Sequence, residues 1–257
     1  MEVLPDAVVR RSYLEQAQLS QVHRWVALAL GEPSAAQASE LLAEGAAGDE
    51  VQVSGLRIEA VTPSVEDLVT HVACVCASAP AAAQAADLRL SFAAREADFP
   101  RITAVALAFR EAAGVGTPDP DALMRSRILS LKHRWHGLVE NPLKRAEPFA
   151  EIVTEDFAVD WGRGSLSGLD ELGAWVQSTA SIAAARHDIT AFDCAEAGAG
   201  QYTARFEFAW SGLSLDGEPM QAASEHHWLV KEDLEARFPR IARMDVNLRV
   251  PFHVVPR

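Results

Sequence analysis

A chain of 257 residues, 49% hydrophobic and 23% charged, carries enough apolar side chain for one large core or two small ones. Its net charge of −13 argues against nucleic acid or an anionic membrane surface as partner, since both repel it at long range. Three cysteines without a C-x-x-C spacing give neither a disulfide framework nor a metal site, and no apolar run is long enough to span a bilayer, so a reduced, cytoplasmic setting is expected.

In chain order, Leu14, Leu19, Val22, Trp25, Val26 and Leu30 recur mostly three or four apart, which predicts a helix over residues 13–30 stopped at Gly31-Glu32-Pro33. A short helix over 35–42 and a short strand over 50–58 follow. Ser64 stands three before Asp67, a cap signature that predicts a helix over 65–77, on which Cys74 and Cys76 point to different sides. Strands over 87–93 and 101–110 close this half, and the glycine- and proline-rich run 114–120 reads as a linker.

The second half repeats the order. Ile128, Leu131, Trp135 and Leu138 share one helical face that ends at Asn141-Pro142, Phe149 to Val153 reads as a short helix, and 157–161 as a short strand. Ser167, three before Asp170, predicts a helix running through Leu172, Val176 and Ile182. Four strand-like runs then follow at 186–193, 201–212, 223–230 and 240–248, with Asp216-Gly217 as a hairpin turn. Local matches in the same order suggest an internal duplication: His23-Arg24-Trp25 with His133-Arg134-Trp135, Ser64 to Leu68 with Gly168 to Leu172, and Thr103-Ala104 with Thr203-Ala204. The expected domains are 1–115 and 116–257. The first copy is expected to be degenerate, without room for the two last strands.

Trp135, Asp156-Phe157, the Gly168-Leu169-Asp170-Glu171-Leu172 helix start, Arg186-His187-Asp188-Ile189, Asp216-Gly217 and Arg240-Ile241-Ala242-Arg243 together resemble the nuclear transport factor 2-like superfamily, in particular its SnoaL-like (polyketide-cyclase-like) branch. The resemblance implies an α+β fold with two tandem cone-shaped domains, each with helices packed in a curved, mostly antiparallel sheet and a pocket at the open end. It also implies pairing through the outer sheet faces, here as an intramolecular pseudo-dimer or a homodimer of such chains. The superfamily includes isomerases, dehydratases, cyclases and proteins that only bind or assemble, so the fold leaves function open.

Strand parity sorts the side chains. Tyr202, Ala204, Phe206, Phe208 and Trp210 share one face of their run, and Thr203, Arg205 and Glu207 the other; Ala242, Met244, Val246 and Leu248 oppose Arg243, Asp245 and Asn247. The adjacent His226 and His227 point to opposite faces and cannot jointly hold a metal, so no metal is expected. His226 goes inward with Trp228, where an imidazole can act as general base or simply sit satisfied in the core. His187-Asp188 reads as a helix-end cap or surface pair, and Asp245 as an outward partner of arginine. No G-x-S-x-G, Walker A or dinucleotide fingerprint is present, so no cofactor is expected. Three readings stand: a binder of a small apolar molecule, its second-domain pocket lined by Trp135, Tyr202, Phe206, Phe208, Trp210 and Trp228; a cofactor-independent isomerase, dehydratase or cyclase with His226 as base; and an assembly module with a vestigial pocket.

Overall fold

The computed structural model describes residues 6–31, 38, 40–48, 53–77, 83–93, 100–110, 117–141, 143–179 and 182–255. Two compact units emerge, Glu15–His133 and Met1–Leu14 together with Arg134–Arg257. The division falls inside both long helices, α1 (Asp6–Leu30) and α2 (Ala122–Glu140). Of the short helix expected over 35–42, residues 35–37 and 39 lie outside the described residues, 38, 40 and 41 are helical and Leu42 opens a strand; of the run 114–120, residues 114–116 lie outside them and 117–120 form no helix or strand. Among the described residues, no helix is long and apolar enough to cross a membrane.

The first unit holds a five-stranded sheet of β1 (Leu42–Gly48), β2 (Gly55–Ser64), β3 (Val69–Ala77), β4 (Gln84–Phe92) and β5 (Ile102–Arg110), in the order β1-β5-β4-β3-β2. β2 to β5 form an antiparallel meander, and β1 joins β5 in parallel. Residues 65–77 are therefore a turn and a strand, not the expected helix. Ser64 Oγ does bond Asp67, at 2.8 Å, but the bond closes the hairpin turn between β2 and β3. The four β-branched residues Val69, Thr70, Val72 and Val75 favour the pleated strand that follows. α1 supplies Val22, Trp25 and Val26 to a core with Leu56, Val72 and Leu88.

After the end of α2 the second unit continues with a 3₁₀ turn (Glu147–Glu151), then β6 (Val153–Asp160), β7 (Ser165–Ser167) and α3 (Gly168–Ser178). Ser167 makes no side-chain cap; its backbone N–H instead donates to Glu171 Oε2 at 2.6 Å. α3 stops at Ser178, and Ile182 opens β8 instead of prolonging the helix. β8 (Ile182–Gly198), β9 (Gln201–Ser214), β10 (Pro219–Lys231) and β11 (Arg240–Val254) complete a six-stranded sheet in the order β7-β6-β11-β10-β9-β8. Asp216-Gly217 makes the β9–β10 turn, with Gly217 at φ 78°, a conformation that favours glycine.

Both units are α+β with a curved meander whose last strand pairs in parallel with the first, β5 with β1 and β11 with β6. This is the tandem order that the resemblance implies. The truncation runs differently from expectation: the first sheet keeps all four meander strands, each shorter, and among the described residues lacks counterparts of β7 and α3. Two of the three sequence matches are not structural equivalents. Thr103 lies on the last strand of its sheet and Thr203 on the second of its meander, and the Ser64 match pairs a turn with a helix. The His-Arg-Trp match holds. Arg24 reaches Glu40 at 3.7 Å and Arg134 reaches Glu151 at 3.8 Å, while Trp25 and Trp135 are buried.

Candidate active site in the second unit

Parity along β9 and β10 turns Phe206, Phe208, Trp210, His226 and Trp228 inward and leaves Arg205 and His227 exposed. Trp135 meets Phe149 edge-on at 5.1 Å and Trp228 at 6.3 Å, and Phe206 lies 4.8 Å from Trp228. Trp135, Phe206, Phe208 and Trp228 are at most 3% exposed and form the packed body of the core. Tyr202, half-buried on the same face, sits eight residues along β9 from Trp210, about 27 Å at strand rise, and so belongs to the opposite end of the sheet.

At the Trp210 end the inner face becomes polar. Glu140, in the last turn of α2, points a carboxylate that is 1% exposed at His187 on β8, with Oε1 2.8 Å from Nδ1. Ser12, near the start of α1, donates its hydroxyl to the other oxygen at 2.5 Å. A carboxylate taken this far out of water needs such partners. Nearby Lys144 donates to the Val139 carbonyl at 2.6 Å; burial pulls its ammonium below the ordinary lysine range, and the charge of Glu140 partly offsets that.

Two further imidazoles complete the cluster. His136, one helical turn before Glu140 on α2, lies 4.3 Å from the His187 ring and 6.3 Å from that of His226. His226 exchanges a hydrogen bond with Ser224 Oγ at 3.1 Å and meets Phe208 edge-on at 4.8 Å. Phe208 and Trp210 stand edge-on to His187 at 6.0 and 6.5 Å, so the imidazoles are set between aromatic walls. The His187 side chain is 15% exposed and that of Glu140 1%, so His187 is the more accessible member of the pair.

His187 is thus neither a helix-end cap nor a surface residue. Its register partner is the inward Trp210, and only its neighbour Asp188 behaves as expected, pairing with Arg186 at 2.7 Å. Glu140 and His136 went unread in the sequence, although their i, i+4 spacing puts them on one helix face. The first copy carries Leu30 and Val26 where the His-Arg-Trp match places Glu140 and His136, so it lacks this chemistry.

The outer face of the same sheet carries the charges. Glu225, 5% exposed, is covered by Arg205 and Arg249 and by His227 at 3.1 Å, while Arg243 pairs with Asp245 at 2.9 Å. A groove of about 220 Å³ runs across this face past Asp193, Thr203, Arg205, His227 and Arg243; of the expected ligand-binding residues only Trp228 borders it. Asp160 is occupied in the β6–β7 turn, accepting from Gly162 N at 2.6 Å. Among the described residues, no group of three or more His, Cys, Asp or Glu side chains is placed to hold a metal ion.

The second unit's order of helix, short strand, helix and four-stranded antiparallel meander is the order that the resemblance to nuclear transport factor 2-like proteins implies. No family model matches the chain, and no curated protein matches it. Solved structures align with about half of it. An NTF2-like protein with a cystatin-like fold from Novosphingobium aromaticivorans aligns at 18% identity and TM-score 0.42, covering 52% of this chain and 92% of that one. Hexachlorocyclohexane dehydrochlorinase LinA-type3 from Novosphingobium barchaimii aligns at 12% identity and TM-score 0.43, covering 51% and 90%. An uncharacterised cystatin-like protein from Caulobacter vibrioides aligns at 17% and 0.40, covering 49% and 90%.

Proposed function

We propose that the second unit is a cofactor-independent acid–base enzyme that removes a proton from carbon on a small, mostly apolar molecule, leading to elimination or isomerisation. The observation that carries this is the buried Glu140 carboxylate on Nδ1 of His187. A carboxylate accepts only, so the proton of neutral His187 sits on Nδ1 and the lone pair on Nε2, where it can serve as base. As the imidazole takes the proton, the adjacent carboxylate stabilises the imidazolium in a setting poor in water.

In this reading Phe208 and Trp210 shape the apolar wall, and His226, hydrogen-bonded to Ser224, serves as the second imidazole that returns a proton to the product or leaving group. Trp135, Phe206 and Trp228 hold the scaffold. A direct test uses a nitrobenzisoxazole, an apolar C–H acid whose ring opens with a colour change when a base removes its proton. The second unit should accelerate the opening, and His187→Ala should abolish the acceleration; an unchanged rate in that variant would refute the reading.

A further inference from the structure

In the first unit, β3 pairs with β2 on one side and β4 on the other, and Cys74 and Cys76 lie two residues apart on it. The period of two puts both side chains on the core face, where they are 0% and 1% exposed. Their sulfurs stand 3.4 Å apart and both cysteines are free. As filler, two alanines or valines would serve the core without bringing two sulfurs together. We propose that Cys74 and Cys76 are a redox-active dithiol that closes reversibly into an intramolecular disulfide by exchange with a small organic disulfide such as oxidised glutathione.

Residues two apart on a strand have Cα atoms about 6.6 Å apart, at the long end of the disulfide range, and the sulfurs must close from their present 3.4 Å to a bond of about 2.05 Å. The closed form is therefore of the strained, readily reduced kind. Cys76 is the attacking sulfur: the hydrogen bond from Cys74 holds its thiol below the ordinary range, and the same bond, with burial, pushes Cys74 up.

The Cys76 thiolate attacks one sulfur of the small disulfide, whose S–S bond breaks to release one thiolate. That thiolate takes the proton of Cys74. The Cys74 sulfur then attacks Cys76 in the mixed disulfide and releases the second small thiolate, which takes up the proton that Cys76 gave up to become the attacking thiolate. The protein loses two hydrogens and is oxidised; the small disulfide gains them as two thiols. Because both sulfurs are buried, exchange waits on local opening, and β2, the terminal strand of the sheet, is the neighbour that can open.

Cys194, on β8 and half-exposed, is an internal control, since the chain has three cysteines and no further thiol remains to resolve a mixed disulfide there. The test exposes the full native chain to oxidised glutathione, then quenches with acid, alkylates and identifies each cysteine by mass spectrometry. The expected product has Cys74 and Cys76 joined, without glutathione, closed to alkylation and reopened by dithiothreitol, while Cys194 carries glutathione. In Cys74→Ala, Cys76 should keep the glutathione as a stable adduct, and in Cys76→Ala, Cys74 should react at least about tenfold more slowly. A stable adduct on Cys76 in the unaltered chain would overturn the proposal. So would full alkylation of both thiols after Cys194 has saturated, with sub-denaturing urea present to permit opening.

Discussion

Glu140 Oε1 lies 2.8 Å from Nδ1 of His187, joining the last turn of α2 to β8 through a carboxylate shielded from water. This pair should act as a unit. Ser12→Ala removes the donor to the second carboxylate oxygen while leaving the pair in place, so the elimination rate should fall about tenfold with the substrate KM little changed. Steady-state kinetics on the nitrobenzisoxazole check this.

Acid should loosen the first unit through two buried imidazoles. His23 and His133 stack at 5.5 Å; burial, then the charge of Lys132, pulls His23 down to about 3 and His133 well below the ordinary histidine value. The unfolded chain takes up protons on both near pH 6.5 and the folded chain does not, so stability is full above that pH and falls below it. The expected loss is about 1.4 kcal/mol per pH unit per histidine, ending for His23 at its folded pKa of about 3. Urea titrations across this window should show a shallower dependence in His23→Gln.

Trp228 is a test of core against ligand wall. Its indole N–H is buried without a hydrogen-bond partner, so Trp228→Phe loses volume but also removes an unmet donor. The expected cost is under about 2 kcal/mol for Trp228→Phe and about 3–5 kcal/mol for Trp228→Ala, measured by denaturant unfolding.

Gly217 has no atom within 4 Å of an added Cβ, so Gly217→Ala tests backbone conformation alone. At φ 78° it should cost about 1–2 kcal/mol without changing the elimination rate.

The second sheet was legible because half-buried strands alternate: Phe206, Phe208, Trp210, His226 and Trp228 face inward as parity requires, and Asp216-Gly217 pins the register of β9 and β10. β3 was not, because Ser64 and Asp67 make the same local bond at a hairpin turn as at a helix start, and only the pairing of β3 with β2 and β4 decides between them. His187 escaped because a helix carried through Ile182 puts it at a strand entrance, whereas β8 already begins at Ile182, so His187 lies inside the strand opposite Trp210. Glu140 lay just before the Asn141-Pro142 helix stop, where an acid reads as solvated surface; its burial depends on Ser12 and His187, which are distant in sequence.

The most direct test of the central claim is a double-mutant cycle of Glu140→Gln and His187→Ala on the rate of nitrobenzisoxazole opening. The account predicts that each single change costs about a hundredfold and that the double variant is no slower than His187→Ala alone. Losses that multiply, or a wild-type rate no greater than that of His187→Ala, would contradict it.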